Sequence, residues 1–164
     1  MKKNLLIVSL IVLAALFQAS AVMAASQSIE LVKGYNMISL SVTPSVSLNS
    51  SDLIKNNTNI FSVFKYNSGL KKFDYCIRYG TGTFGSSFEI IPGAGYAIKC
   101  TNPMNLYING TSYTTPECDL VSGFTFIGTP YSFEAFTAKT AINSGAKSVF
   151  KWEPASQKYS YVIK

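Results

Sequence analysis

Hydrophobic and polar positions alternate along much of the chain, most clearly over residues 62–77, Ser-Val-Phe-Lys-Tyr-Asn-Ser-Gly-Leu-Lys-Lys-Phe-Asp-Tyr-Cys-Ile. Such a period of two sets successive side chains on opposite faces of a strand. It predicts a hairpin turning near Asn67-Ser68-Gly69, with Phe73, Tyr75, Ile77 and Tyr79 on one face of its second strand and Asp74, Cys76 and Arg78 on the other. The chain writes this hairpin again over residues 148–163. Val63-Phe64-Lys65, Lys72, Tyr75 and Ile77 recur as Val149-Phe150-Lys151, Lys158, Tyr161 and Ile163, and Trp152 and Tyr159 keep aromatics at the positions of Tyr66 and Phe73. Upstream, Gly-Tyr-Asn-Met-Ile-Ser-Leu at 34–40 has a counterpart in Gly-Phe-Thr-Phe-Ile-Gly-Thr at 123–129. The pattern is that of a duplicated unit of roughly 85 to 90 residues.

The remaining elements follow from local signals. Residues 28–41 read as two strand segments hinged on Gly34, with Ile29 and Leu31 alternating with polar neighbours, and Pro44 ends the run. Residues 47–57 read as a short helix with Leu53 and Ile54 inward; in the second copy Ser132 is placed to cap a helix over 133–143, before Gly145. Residues 79–87 are rich in glycine and serine and predict a flexible crossing. A strand over 88–91, a turn at Pro92-Gly93-Ala94-Gly95, a strand from Tyr96 and another over 105–110 complete the unit, and residues 111–117 form a polar linker. The returning strands are expected to cover the hairpin and the aromatic face of its second strand, which is read as a core face. Lys164 aligns with Arg78, so the second copy lacks counterparts of residues 79–110. The fold class expected is all-β with one short helix per repeat: a small β-sandwich or barrel built from a duplicated unit, with unit one at 28–110 and an incomplete unit two at 118–164 packed on it.

The amino terminus changes the picture of where the protein works. Met1-Lys2-Lys3, an apolar run over 5–17 and small residues over 19–25 have the order of a secretory signal peptide, residues 1–24, with cleavage before Ala25. The apolar run falls short of the roughly 20 residues that span a bilayer. The expectation is an exported protein, periplasmic, cell-surface or extracellular, with no membrane span in the mature chain. Of the fourteen basic residues Lys2 and Lys3 precede the cut, leaving twelve against eight acidic ones. They are scattered, Lys71-Lys72 being the one basic pair left, which argues against nucleic acid as a partner.

Candidate chemistry is sparse. The chain has no histidine and no Gly-x-Ser-x-Gly elbow, so a non-catalytic protein is expected. No two cysteines stand at zinc-ligand spacing, Glu117 and Asp119 lack the alternating oxygens of a calcium loop, and neither metal nor cofactor is expected. Three cysteines in an exported chain leave one unpaired. The pairing favoured is Cys100 with Cys118, with Cys76 a small buried hydrophobe because the second copy has Val162 there. Two uses of the module stay open: a structural or adhesive role, with another surface protein joined by strand addition, or carbohydrate binding, with Tyr66, Tyr75, Tyr79 and Trp152 stacking on a surface polysaccharide. A third reading makes the chain a fragment of a larger surface protein.

Written as Gly34-Tyr35-Asn36-Met37-Ile38-Ser39-Leu40, a strand over 63–66, and Ile91-Pro92-Gly93-Ala94-Gly95-Tyr96-Ala97-Ile98, the chain resembles a β repeat of exported bacterial and archaeal surface proteins. That family's motifs read Gly-Trp-Asn-Leu-Ile-Ser-Leu-Pro and Pro-Gly-x-Gly-Tyr-Trp. Tyr35, Ser41 and Ala97 depart from the usual tryptophan, proline and second aromatic. The resemblance implies an all-β module, commonly appended to larger cell-surface proteins, and brings no catalytic residue with it.

Overall fold

The computed structural model describes residues 24–113, 120–128 and 137–164. In chain order they form β1 (Ala24–Leu31), β2 (Gly34–Ile38), β3 (Val42–Pro44), α1 (Ser50–Asn56), β4 (Ile60–Asn67), β5 (Lys72–Tyr79), β6 (Gly82–Gly85), β7 (Tyr96–Cys100), β8 (Met104–Ser112), α2 (Ala138–Asn143), β9 (Ser148–Glu153) and β10 (Lys158–Ile163). All pairings are antiparallel, in sheets ordered β1-β8-β3, β2-β7-β4-β5-β6 and β9-β10. The fold is all-β, and the first two sheets form a small sandwich.

The sandwich closes because alternate positions of each sheet are apolar. Leu31, Val42, Leu106 and Ile108 of the first sheet meet Ile38, Val63, Cys76, Tyr96, Ile98 and Cys100 of the second, with Leu53 and Ile54 of α1 joining the same core. Burial of a side chain of this kind contributes on the order of 2 kcal/mol. The chain changes sheet twice in its first strands, and carboxamides hold both crossings. At the first, Gly34 takes φ +99, and buried Asn36 accepts from Val32 N at 2.9 Å and donates to Val32 O at 2.8 Å. At the second, Gln27 donates to Ser39 O at 3.1 Å and accepts from Ser41 N at 2.9 Å. Each amide takes the place of a strand neighbour for backbone groups that have left their ladder.

Several local expectations are corrected. The aromatic face of β5 is the outer face of its sheet: Phe73 is 44%, Tyr75 38% and Tyr79 77% exposed, whereas Cys76 on the other face is 1% exposed. Arg78 shares the inner side because its guanidinium donates to Ile54 O, Asn57 O and Ile60 O, adding charged donors to carbonyls at the end of α1 and the start of β4. The returning strands therefore do not cover the aromatics. β7 lies beside β4 in the same sheet, and β8 belongs to the sheet facing the Val63 side.

Residues 79–87 are no flexible crossing. They turn tightly through Gly80 and Thr81 and return as β6, paired with β5 from Tyr79↔Gly82 to Cys76↔Gly85. Residues 88–91 make one bridge, Asn49↔Glu89, rather than a strand, since they lie against the start of α1 through Ser50 N to Phe88 O at 2.9 Å and Ile90 N to Leu48 O at 2.8 Å. The linker starts later than expected, because Thr111 and Ser112 still pair in β8, against Thr43 and Val42. The second-copy helix begins at Ala138, where Thr137 accepts from Thr140 N at 3.2 Å as its cap. Residues 1–23, most of the linker, Glu117, Cys118, Asp119 and the expected cap Ser132 lie outside the described residues.

Candidate functional site

The duplication is visible as geometry. β4–β5 and β9–β10 have the same register, Val63↔Cys76 and Phe64↔Tyr75 in one, Val149↔Val162 and Phe150↔Tyr161 in the other. The last turn residue of each hairpin, Lys71 and Gln157, takes φ 52. Corresponding rings are set alike. Phe64 meets Phe73 edge-on at 6.4 Å and 89°, and Phe150 meets Tyr159 at 6.4 Å and 85°. Tyr66 and Phe73 stand 5.1 Å apart, Trp152 and Tyr159 4.8 Å. Tyr35 lies 6.3 Å from Phe64, and its counterpart Phe124 lies 6.4 Å from Phe150.

The hairpins differ in what surrounds them. In the first copy Val63 and Cys76 are 0% and 1% exposed beneath the other sheet, whereas Val162 in the second is 47% exposed. Every residue of β10 is exposed. Phe150, Tyr159 and Tyr161 add an aromatic surface on the opposite face at 48%, 49% and 65% exposure. A hairpin with apolar groups open on both faces is unusual for a surface with no partner. Its charge is mostly basic, from Lys147, Lys151, Lys158 and Lys164 against Glu153, whose carboxyl is held below the usual range by hydrogen bonds from Lys151 and then Ser160.

The second copy touches the first along the free edge of β2. Gln157 accepts from Tyr35 N at 2.7 Å and donates to Tyr35 O at 2.9 Å, and Trp152 Nε1 donates to the same carbonyl at 2.8 Å. The Gln157 amide thereby covers a pair of edge groups that otherwise invite another strand. Residues 126–128 form a further short pairing, with Gly95 N donating to Phe126 O at 3.2 Å and Gly128 N to Gly93 O at 3.0 Å. Phe126 lies 5.5 Å from both Tyr66 and Phe73. Gly128 is obligatory here, since a Cβ would stand 1.6 Å from Ser39 Oγ.

These contacts place the expected ligand-binding residues. Tyr66 is half-buried under Phe126, Tyr75 lies beside Phe84 at 6.2 Å and 38°, Tyr79 stands at the far end of β5, and Trp152 is committed to the Tyr35 carbonyl. The four do not converge on one platform. Ring pairs on the two aromatic faces meet at 31° or more. An open groove between β8, the β3 end and α1, lined by Leu48, Leu53, Asn56 and Tyr107 among others, carries no carboxylate or cation. Among the described residues no three of His, Cys, Asp and Glu group as metal ligands. Gln27 and Gln157 escaped the sequence reading, and Asn36 entered it only as a motif position, because a carboxamide bonded to backbone leaves no mark on periodicity.

Cys100 is buried and has no disulfide partner among the described residues, and Cys118, its expected partner, lies outside them. Cys76 is likewise buried and has no disulfide partner among the described residues. Burial pushes the Cys100 thiol above its ordinary value of 9.0. It does the same to the Tyr96 phenol, whose oxygen accepts from Ile91 N at 2.9 Å, a contact that works against the shift, while the nearby Glu89 charge adds to it. Both groups are acids held neutral by the fold. Their contribution to stability is full below their ordinary values and is lost as pH rises through the raised ones, so stability should fall on the alkaline side from about pH 9 upward. Urea melts at pH 7 and pH 10 test this. An unchanged midpoint contradicts it, as does rapid modification of the Cys100 thiol in the native protein by a disulfide reagent at pH 8.

Among the described residues no helix is long and apolar enough to cross a membrane, a statement that does not extend to strands. Comparison with family models, with curated proteins and with solved structures gave no match.

Proposed function

We propose that this chain is an exported, non-catalytic β module that serves structural or adhesive assembly at the cell surface, as its resemblance to the Gly-Trp-Asn-Leu-Ile-Ser-type repeats implies. The observation that carries the reading is the second hairpin, where Val162, the counterpart of buried Cys76, is 47% exposed, Val149, the counterpart of buried Val63, is only half-buried, and every residue of β10 is open to solvent. A docked polypeptide would bury them, and exposed apolar groups on both faces of a two-stranded sheet favour such a partner.

The test is a photo-crosslinking side chain at Tyr161 in the full-length protein expressed in its own cells. The expected result is cleavage near Ala24 and a discrete adduct with another polypeptide in the exported fraction. Retention of Met1-Lys2 in that fraction contradicts export. Retention on surface polysaccharide with no polypeptide adduct supports the carbohydrate-binding alternative instead.

A further inference from the structure

The first copy contains a template for what the second copy's open edge accepts. β7 lies between β2 and β4 in the five-stranded sheet, pairing Tyr35↔Lys99 and Met37↔Ala97 on one side and Val63↔Ile98 and Phe64↔Ala97 on the other. Tyr35 and Phe64 thus come from strands on either side of it. Their counterparts Phe124 and Phe150 keep the same ring separation and a similar tilt, 52° against 47°. Among the described residues no strand lies between residues 123–125 and β9. The segment carrying Phe124 is anchored at its other end by the pairing of 126–128 with 93–95, so the Phe124–Phe150 contact sets β9 beside an interface already formed within the chain.

We propose that the edge of β9 facing residues 123–125 receives one antiparallel strand from another polypeptide, of the Pro-Gly-x-Gly-Tyr-small-aliphatic type that β7 itself exemplifies. The proposal rests on the assembly reading above and names its site and occupant. Three features of the template set the chemistry. The residue opposite Phe150 must be small, because Ala97, opposite Phe64, is only 4% exposed between Phe64 and Met37. The residues flanking it must be large and apolar on the Val149 side, as Tyr96 and Ile98 are on the Val63 side. Charge separates the partner's strand from β7. Lys99 lies 5.4 Å from the Tyr35 ring and 5.6 Å from the Phe61 ring, but the hairpin alignment puts Lys147 where the first copy has Phe61. A lysine there meets a like charge, so an acidic residue at that position complements the site.

The probe is a synthetic peptide of residues 91–101 with Cys100→Ser, alone and with Lys99→Glu, titrated into the mature protein. Trp152, on β9, is the single tryptophan, and its fluorescence reports on occupancy. The expected result is saturable binding with amide shifts at residues 123–125 and 148–152. The Lys99→Glu peptide should bind more tightly at low salt and lose that advantage at high salt. An Ala97→Phe peptide should bind on the order of tenfold more weakly, or not at all.

No saturable change, shifts centred on β6 or β1, or equal binding of the Ala97→Phe peptide overturns the proposal. So does a protein that sediments as a dimer through β9 and is not displaced by peptide, which assigns the edge to a second copy. The Tyr161 crosslinking separates the two levels. A polypeptide adduct with no peptide binding removes this strand site and keeps the assembly reading, while failure of both removes the reading as well.

Discussion

Replacing Asn36 with leucine is expected to destabilise the mature protein by about 3 kcal/mol, because it leaves two part-buried backbone groups without the partner that now serves both. The Asn36 side chain is 2% exposed and serves both Val32 N and Val32 O, with further contacts from Nδ2 to Gly34 O at 3.3 Å and Ile98 O at 3.5 Å. Leucine has similar bulk and adds apolar contact, so a loss of this size comes from the orphaned amide and carbonyl rather than from a cavity. Urea unfolding should show a lower midpoint with an unchanged slope. A loss under about 1 kcal/mol would mean that the first sheet crossing is held by something other than this carboxamide.

Removing residues 118–164 should lower the stability of the first copy by about 3 kcal/mol, even though its sandwich core is complete without them. The deletion strips Phe126 from Tyr66 and Phe73. It also reopens the β2 edge that Gln157 and Trp152 cover at Tyr35. Burial of one aromatic contributes on the order of 2 kcal/mol, and each exposed hydrogen bond adds about 0.5–1.5 kcal/mol. Melting of the truncated and parent proteins, followed by near-ultraviolet circular dichroism, compares them. Gly128→Val, which drives a side chain into Ser39, should reproduce much of the loss while keeping the chain intact. Equal melting of all three proteins would make the two copies independent.

Much of this architecture was legible in the sequence, because strand alternation and repetition are written in side-chain order. The two hairpins, their equal register and the turn at Gly34 follow from it. Which face of β5 looks inward did not. Alternation distinguishes two faces without naming the buried one, and here Asp74, Cys76 and Arg78 occupy the side that meets the core, with Arg78 tied to the end of α1. The glycine-serine run over 79–87 reads as flexible from composition, yet Gly85 approaches Tyr75 so closely that a Cβ would stand 2.3 Å from its carbonyl oxygen. That glycine belongs to a paired edge strand. The candidate surface was half legible: the repeated alternation marked a second hairpin, but the docking of Trp152 and Gln157 on Tyr35 depends on contacts more than a hundred residues apart in the chain.

The second hairpin is seated on the β2 edge of the first copy within one chain, and the indole proton of Trp152 reports on that seat. A nitrogen-15-labelled monomer should show that proton exchanging slowly with solvent and giving nuclear Overhauser contacts to the backbone around Tyr35, as the 2.8 Å hydrogen bond to its carbonyl requires. An indole proton exchanging at the rate of a free side chain, with no contact to residues 35–36, would contradict the account.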